Sequence, residues 1–126
     1  MRKVVVLTGA MFLVLVLGMA AAVIAGEAAP ATMTMEGYII DTRCATANQA
    51  TLADFVKTHP KDCTMAPACS ASGYNIYSNG KLYKFDKDSS DKVYDFLGKP
   101  DSTLSVKAEV EMGPGDTVKL VSIENK

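Results

Sequence analysis

The sequence predicts a small, mainly β domain of the α+β class, arranged as a five-stranded OB-like barrel. Three observations carry that expectation. Asn79-Gly80 stands between two alternating segments, YNIYS and KLYKF, and an Asn-Gly pair in that setting marks a two-residue hairpin. A second pair of strand patterns flanks Gly113-Pro114-Gly115-Asp116 near the end of the chain. Between the two lies a single short helical pattern, which with a first strand before residue 41 gives strand, insert, strand, strand, helix, strand, strand. That is the element order of a partly open Greek-key barrel. The competing layout, a twisted meander with its helices on one side, leaves unexplained the bends that Gly37 and a late change of phase put into the strands.

The chain has 126 residues, enough for one domain. Its start, MRKVVVLTGAMFLVLVLGMAAAVIA, reads as an export signal: Arg2 and Lys3 form a positive end, Val4 to Leu17 an apolar stretch, and Ala20 to Gly26 a run of mostly small residues. Val23-Ile24-Ala25 suits cleavage after Ala25, which assigns 1–25 to a signal peptide, 26–32 to a linker and 33–126 to the barrel domain. The alternative is an uncleaved membrane anchor, since the 21 residues from Val4 to Ile24 are long enough to span a bilayer. Either way the expected location is periplasmic or secreted, with the membrane a partner only if the signal stays. Without Arg2 and Lys3, 11 basic residues face 14 acidic ones, a net charge of −3. The remaining lysines are scattered, so the basic stripe that nucleic acid requires is missing and nucleic acid is not an expected partner.

The first strand is Met33 to Ile40, with Gly37 marking a bulge or a close backbone approach. In the hairpin, a two-residue loop pairs Ser78 with Lys81, Tyr77 with Leu82, Ile76 with Tyr83 and Tyr74 with Phe85. Tyr74, Ile76, Tyr83 and Phe85 then share the core face, and Tyr77 and Leu82 form a candidate binding face on the other side. The helix runs from Asp88 to Leu97, capped by Asp88 or Ser89, apolar through Val93, Phe96 and Leu97, and stopped by Gly98 and Pro100. Leu104 to Met112 alternates strictly. Thr117 to Ile123 changes phase between Leu120 and Val121, which a bulge would repair.

The chemically loaded part is the insert, 41–72. It holds all three cysteines, Cys44, Cys63 and Cys69, and the only histidine, His59. Thr51 to Asp54 has the pattern of a capping box, and Leu52, Phe55, Val56 and His59 follow at the spacing of one helical face, so the imidazole is expected to look inward. Three thiolates and one imidazole are a tetrahedral donor set suited to zinc, and soft enough for copper. Met65 and Asp41 are accessory ligand candidates; Asp41 precedes Cys44 by about one helical turn. The alternative is a disulfide without metal, favoured by an oxidising compartment. Closing Cys44 to Cys63 contributes roughly 3 kcal/mol and Cys63 to Cys69 roughly 2 kcal/mol, against a structural zinc of order 10 kcal/mol. The odd cysteine count favours the metal, because a disulfide leaves one thiol free.

A catalytic role is weaker. The insert has no C-x-x-C for thiol exchange, and a His59-activated Cys44 competes with a histidine simply satisfied at a helix end. Asp86, Asp88, Asp91 and Asp95 lack the glycine and terminal glutamate of a calcium loop.

Gly37-Tyr38-Ile39-Ile40-Asp41-Thr42-Arg43-Cys44, then His59, Cys63 and Cys69, then Gly80 to Tyr83 and the Gly115-Asp116-Thr117-Val118 turn, resembles a group of small secreted bacterial proteins of unknown function. These carry a Gly-aromatic-x-x-Asp-x-x-Cys block and later His and Cys residues ahead of an OB-like β-domain. The resemblance implies export, the fold and the Cys/His set, but no reaction. The expected function is therefore an exported binding module that holds a metal, most simply zinc, through Cys44, His59, Cys63 and Cys69. A disulfide-stapled domain for a small ligand or protein partner is the alternative, and a thiol redox protein a further one.

Overall fold

The computed structural model describes residues 30–126. The expected signal peptide and residues 26–29 of the expected linker lie outside the described residues. No helix among the described residues is long and apolar enough to cross a membrane.

Among the described residues, five strands form one mixed sheet: β1 (Thr32–Asp41), β2 (Tyr74–Ser78), β3 (Lys81–Phe85), β4 (Ser105–Met112) and β5 (Thr117–Asn125). Their spatial order is β1-β2-β3-β5-β4, and β4 pairs again with β1, so the sheet closes on itself. β3 and β5 run parallel over two residue pairs; the other neighbours are antiparallel. The hairpin has the predicted register, Tyr77 opposite Leu82 and Ile76 opposite Tyr83. Asn79 at φ 51° and Gly80 at φ 77° supply the left-handed turn that this register demands.

β1 serves two partners. Thr32 to Tyr38 pairs with β4, and Tyr38 to Asp41 with β2. Gly37 sits at the handover, where a Cβ would land on the Tyr77 carbonyl. The close approach, one of the two readings its position suggests, is what the fold uses. The expected bulge near the end of the chain is present: Glu109 faces Ser122 while Val110 faces Leu120, leaving Val121 as the surplus residue.

The long helix after β3 runs Lys87–Leu97 and is numbered α5, following four short helices in the insert. It begins one residue earlier than the sequence suggests. Neither Asp88 nor Ser89 is its cap; Asp86 Oδ1 accepts from the Ser89 backbone at 2.8 Å. Ser89 turns inward instead, and its hydroxyl accepts from the Leu120 amide at 2.7 Å, fastening the helix to β5. Val93, Phe96 and Leu97 then join Ile39, Tyr74, Ile76, Phe85, Val106 and Val110 in the main core.

The insert differs most from expectation. One helix becomes four: α1 (Thr42–Ala47), α2 (Leu52–Thr58), α3 (Lys61–Met65) and α4 (Pro67–Ser70), with a single 3-10 turn at Gln49–Thr51 before α2. Thr51 makes no capping bond, so the apparent capping box is not formed. The insert folds over the outer face of the sheet and builds a second, smaller core from Ile40, Ala45 and Val56, flanked by Tyr38, Leu52, Phe55, Tyr77 and Leu82. Ile39 and Ile40, adjacent on β1, point to opposite cores because side chains alternate along a strand. Burying Ile40 and Val56 contributes roughly 1.5–3 kcal/mol each. Two polar clamps hold the far end of the insert. Lys61 Nζ donates to the Lys99 carbonyl (3.2 Å), the Ser102 carbonyl (3.0 Å) and Ser102 Oγ (3.1 Å). Tyr74 donates its hydroxyl to the Thr64 carbonyl at 3.2 Å.

Candidate metal centre

Asp41 is the last residue of β1 and the N-cap of α1, and its side chain is fully buried. One carboxylate oxygen, Oδ1, accepts from the Cys44 backbone N–H at 2.8 Å, which satisfies a donor the first helical turn leaves open. This local bond explains the Asp-x-x-Cys spacing. The cap and the residue three places on lie against each other, so the carboxylate is carried to the thiol.

The second oxygen, Oδ2, has no hydrogen-bond partner, and neither has His59 Nε2, which lies 3.5 Å from it. That separation permits charge attraction but makes no hydrogen bond. The His59 side chain is only 6% exposed. It caps the end of α2, with its ring stacked on Phe55 (centroids 4.7 Å apart), so the imidazole looks inward as the helical spacing predicts. A buried carboxylate oxygen and a buried ring nitrogen, both unpartnered, form an expensive arrangement unless something lies between them.

The two neighbouring sulfurs come from opposite ends of the insert. Cys44 sits in the first turn of α1 and Cys69 in α4, and their Sγ atoms are 4.0 Å apart; both residues are half-buried. Ligand atoms of Asp41, Cys44 and Cys69 all lie within 4.8 Å of one another, close enough to hold a metal ion. His59 meets this group through Asp41.

Cys63, on α3, is exposed and lies outside the group. Met65 packs against the main core. Of the residues the sequence singled out, the fold therefore gathers Cys44, Cys69 and Asp41, with His59 alongside, and Asp41 moves from an accessory position to the middle. Both disulfide closures weighed from the sequence used Cys63, whereas the sulfur facing Cys44 is that of Cys69. The candidate binding face at Tyr77 and Leu82 is half-covered: both side chains pack under the insert, and they line one wall of a cleft of about 560 Å³ between the 3-10 turn, α2 and the hairpin.

The electrostatics disfavour a free thiolate here. Burial, then the Asp41 carboxylate, push the Cys44 thiol up to about 12. A thiol held neutral is a poor nucleophile, which counts against a thiol enzyme centred on Cys44. Tyr74, paired with Asp41 across β1 and β2, is likewise pushed up to about 12, chiefly by burial. Comparison with family models, curated proteins and solved structures returns no match.

Proposed function

We propose that this protein is an exported small binding module that holds a metal ion, most simply zinc, in the helical insert of an OB-like barrel. The ligands are Asp41, Cys44 and Cys69, with His59 Nε2 drawn in as the fourth donor. One observation carries the reading: the buried Asp41 carboxylate, its Oδ2 unpartnered, stands beside two thiols, and the unpartnered His59 Nε2 lies 3.5 Å from that oxygen. Tetrahedral zinc bonds place two sulfurs about 3.8 Å apart and an oxygen and a nitrogen about 3.3 Å apart. The Cys44–Cys69 and Asp41–His59 separations are 4.0 Å and 3.5 Å; His59 stands outside the group whose ligand atoms all lie within 4.8 Å, so its ring moves in to complete the tetrahedron. A divalent cation supplies the positive charge the buried carboxylate lacks and turns the neutral Cys44 thiol into a bound thiolate. The OB-like assignment is supported by the closed strand order and by α5 lying between β3 and β4. Export is supported by the charged, apolar and small-residue succession at the start of the chain.

The test is metal content and affinity, by native mass spectrometry and by competition with a chromophoric chelator. One zinc per chain is expected. Cys63→Ser is expected to retain it, while Cys44→Ser and Cys69→Ser lose it and Asp41→Asn binds it at least about 100-fold more weakly. Binding that depends on Cys63 and ignores Asp41 would overturn the assignment. A second reading, a disulfide-stapled ligand- or protein-binding domain without metal, draws on the same 4.0 Å sulfur separation. Closing the chain from Cys44 to Cys69 would contribute about 3.5 kcal/mol by loop entropy.

A further inference from the structure

The geometry points to redox gating of the metal site: the insert exists either as a metal-bound dithiolate or as a metal-free Cys44–Cys69 disulfide, and the two states exclude each other. This rests on the metal reading above and adds how occupancy is controlled.

The sulfurs lie 4.0 Å apart. That is near the roughly 3.8 Å of a shared zinc ion, and about 2 Å beyond disulfide length. Little movement separates the states, because the two cysteines sit in short helical pieces. Cys69 lies in the four-residue α4, held by local bonds such as Cys69 N–H to the Ala66 carbonyl at 2.9 Å. Both cysteines are half-buried, so a small oxidant can reach them, whereas Asp41 and the His59 ring stay enclosed. Two of the four proposed donors are thus open to oxidation and two are enclosed.

The oxidant is a low-molecular-weight disulfide, RSSR. One protein thiolate, from Cys44 or Cys69, attacks a sulfur of RSSR, forming a mixed disulfide and releasing RS⁻. The other protein thiolate attacks the protein sulfur of that mixed disulfide, forming the Cys44–Cys69 bond and releasing a second RS⁻. The two protein sulfurs lose two electrons and RSSR gains them. The metal leaves as a divalent cation, since Asp41 and His59 alone do not complete a tetrahedral site. Cys63, exposed on α3, takes no part.

The experiment uses protein recovered from cells expressing the full chain, loaded with Zn²⁺ and titrated with oxidised glutathione. Released zinc is followed with a chromophoric chelator and disulfides by peptide mass mapping. The expected result is one zinc released per Cys44–Cys69 disulfide, Cys63 carrying at most a glutathione and never bonded to Cys44 or Cys69, and full rebinding after reduction. Cys63→Ser should release zinc at the same oxidant ratio. Zinc that stays bound once the Cys44–Cys69 bond has formed, or zinc lost without that bond, refutes the gating while leaving the metal site standing. A reduced protein that holds no zinc refutes the metal reading, and the gating with it.

Discussion

Asp41→Asn separates the helix cap that this side chain forms from the metal binding proposed for it. Asn is as good an N-cap as Asp, so the bond from the Cys44 N–H survives the change. What disappears is the negative charge at Oδ2, which is buried without a partner. In the metal-free protein that atom is a liability. An unsatisfied buried polar group costs about 1–3 kcal/mol, and more when charged. An amide can instead donate to His59 Nε2, 3.5 Å away. The metal-free variant is therefore expected to match wild type or exceed it by about 1 kcal/mol. In the metal-bound protein the sign reverses. Changes to outer-shell partners already cost 10–100-fold in affinity, so losing a direct anionic ligand should cost at least about 100-fold, or about 2.7 kcal/mol. Asp41→Ala gives up the cap as well, about 1 kcal/mol. The assay is urea unfolding of all three proteins, in chelator and in excess zinc, with chelator competition for affinity. If Asp41→Asn destabilises the metal-free protein as much as Asp41→Ala and binds zinc as tightly as wild type, Asp41 is only a cap and the reasoning fails.

Further outcomes are expected at Cys44, Gly37 and Asp86. In metal-free, reduced protein at pH 8, iodoacetamide should modify exposed Cys63 first. Cys44, raised from 9.0 to about 12, should hold about 1,000-fold less thiolate than an ordinary cysteine and react last, as peptide mapping will show. Because that thiol is neutral in the fold and ionises near 9 when unfolded, the metal-free protein should also lose stability as pH rises from about 9 towards 12; in Cys44→Ser the loss between about 9 and 10 should vanish, leaving above about 10 the smaller loss that Tyr74 contributes. Gly37→Ala drives a methyl group onto the Tyr77 carbonyl where β1 passes from β4 to β2, and should cost about 3 kcal/mol in urea unfolding; a cost below about 0.5 kcal/mol would mean the handover is not tight. Asp86→Ala should cost about 1 kcal/mol through the lost α5 cap. The Asp86 carboxyl is held below its ordinary range by the Ser89 side chain and backbone, so its contribution should be full above pH 4 and fade as acid protonates it; an equal cost at pH 2 and pH 7 would contradict this.

Much of the β-domain follows from short-range chemistry. Asn79-Gly80 dictates the hairpin register because few residue pairs accept positive φ in succession. The phase break at Leu120-Val121 dictates a bulge because a strand keeps alternate residues on one face. The insert was harder to read. Its helices are four to seven residues long, too short for periodicity to register, and they form because the outer face of the sheet holds them. α1, six residues long, carries no apolar periodicity of its own, and only its cap, Asp41, marks it in the sequence. The sign of it was the Asp-x-x-Cys spacing, which reads equally well as a capped turn.

The sequence alone supplied the donor inventory: soft and imidazole ligands confined to one insert, and an inward-facing His59. The grouping of those donors was decided only in three dimensions. Which sulfur faces Cys44 depends on how the chain from α2 to α4 is laid across the sheet, through Lys61 on Ser102 and Tyr74 on Thr64, contacts between residues 41 and 10 positions apart. Those contacts turn Cys63 outward and Cys69 inward. No local rule encodes that choice, because thiols at both positions are equally compatible with a short helix.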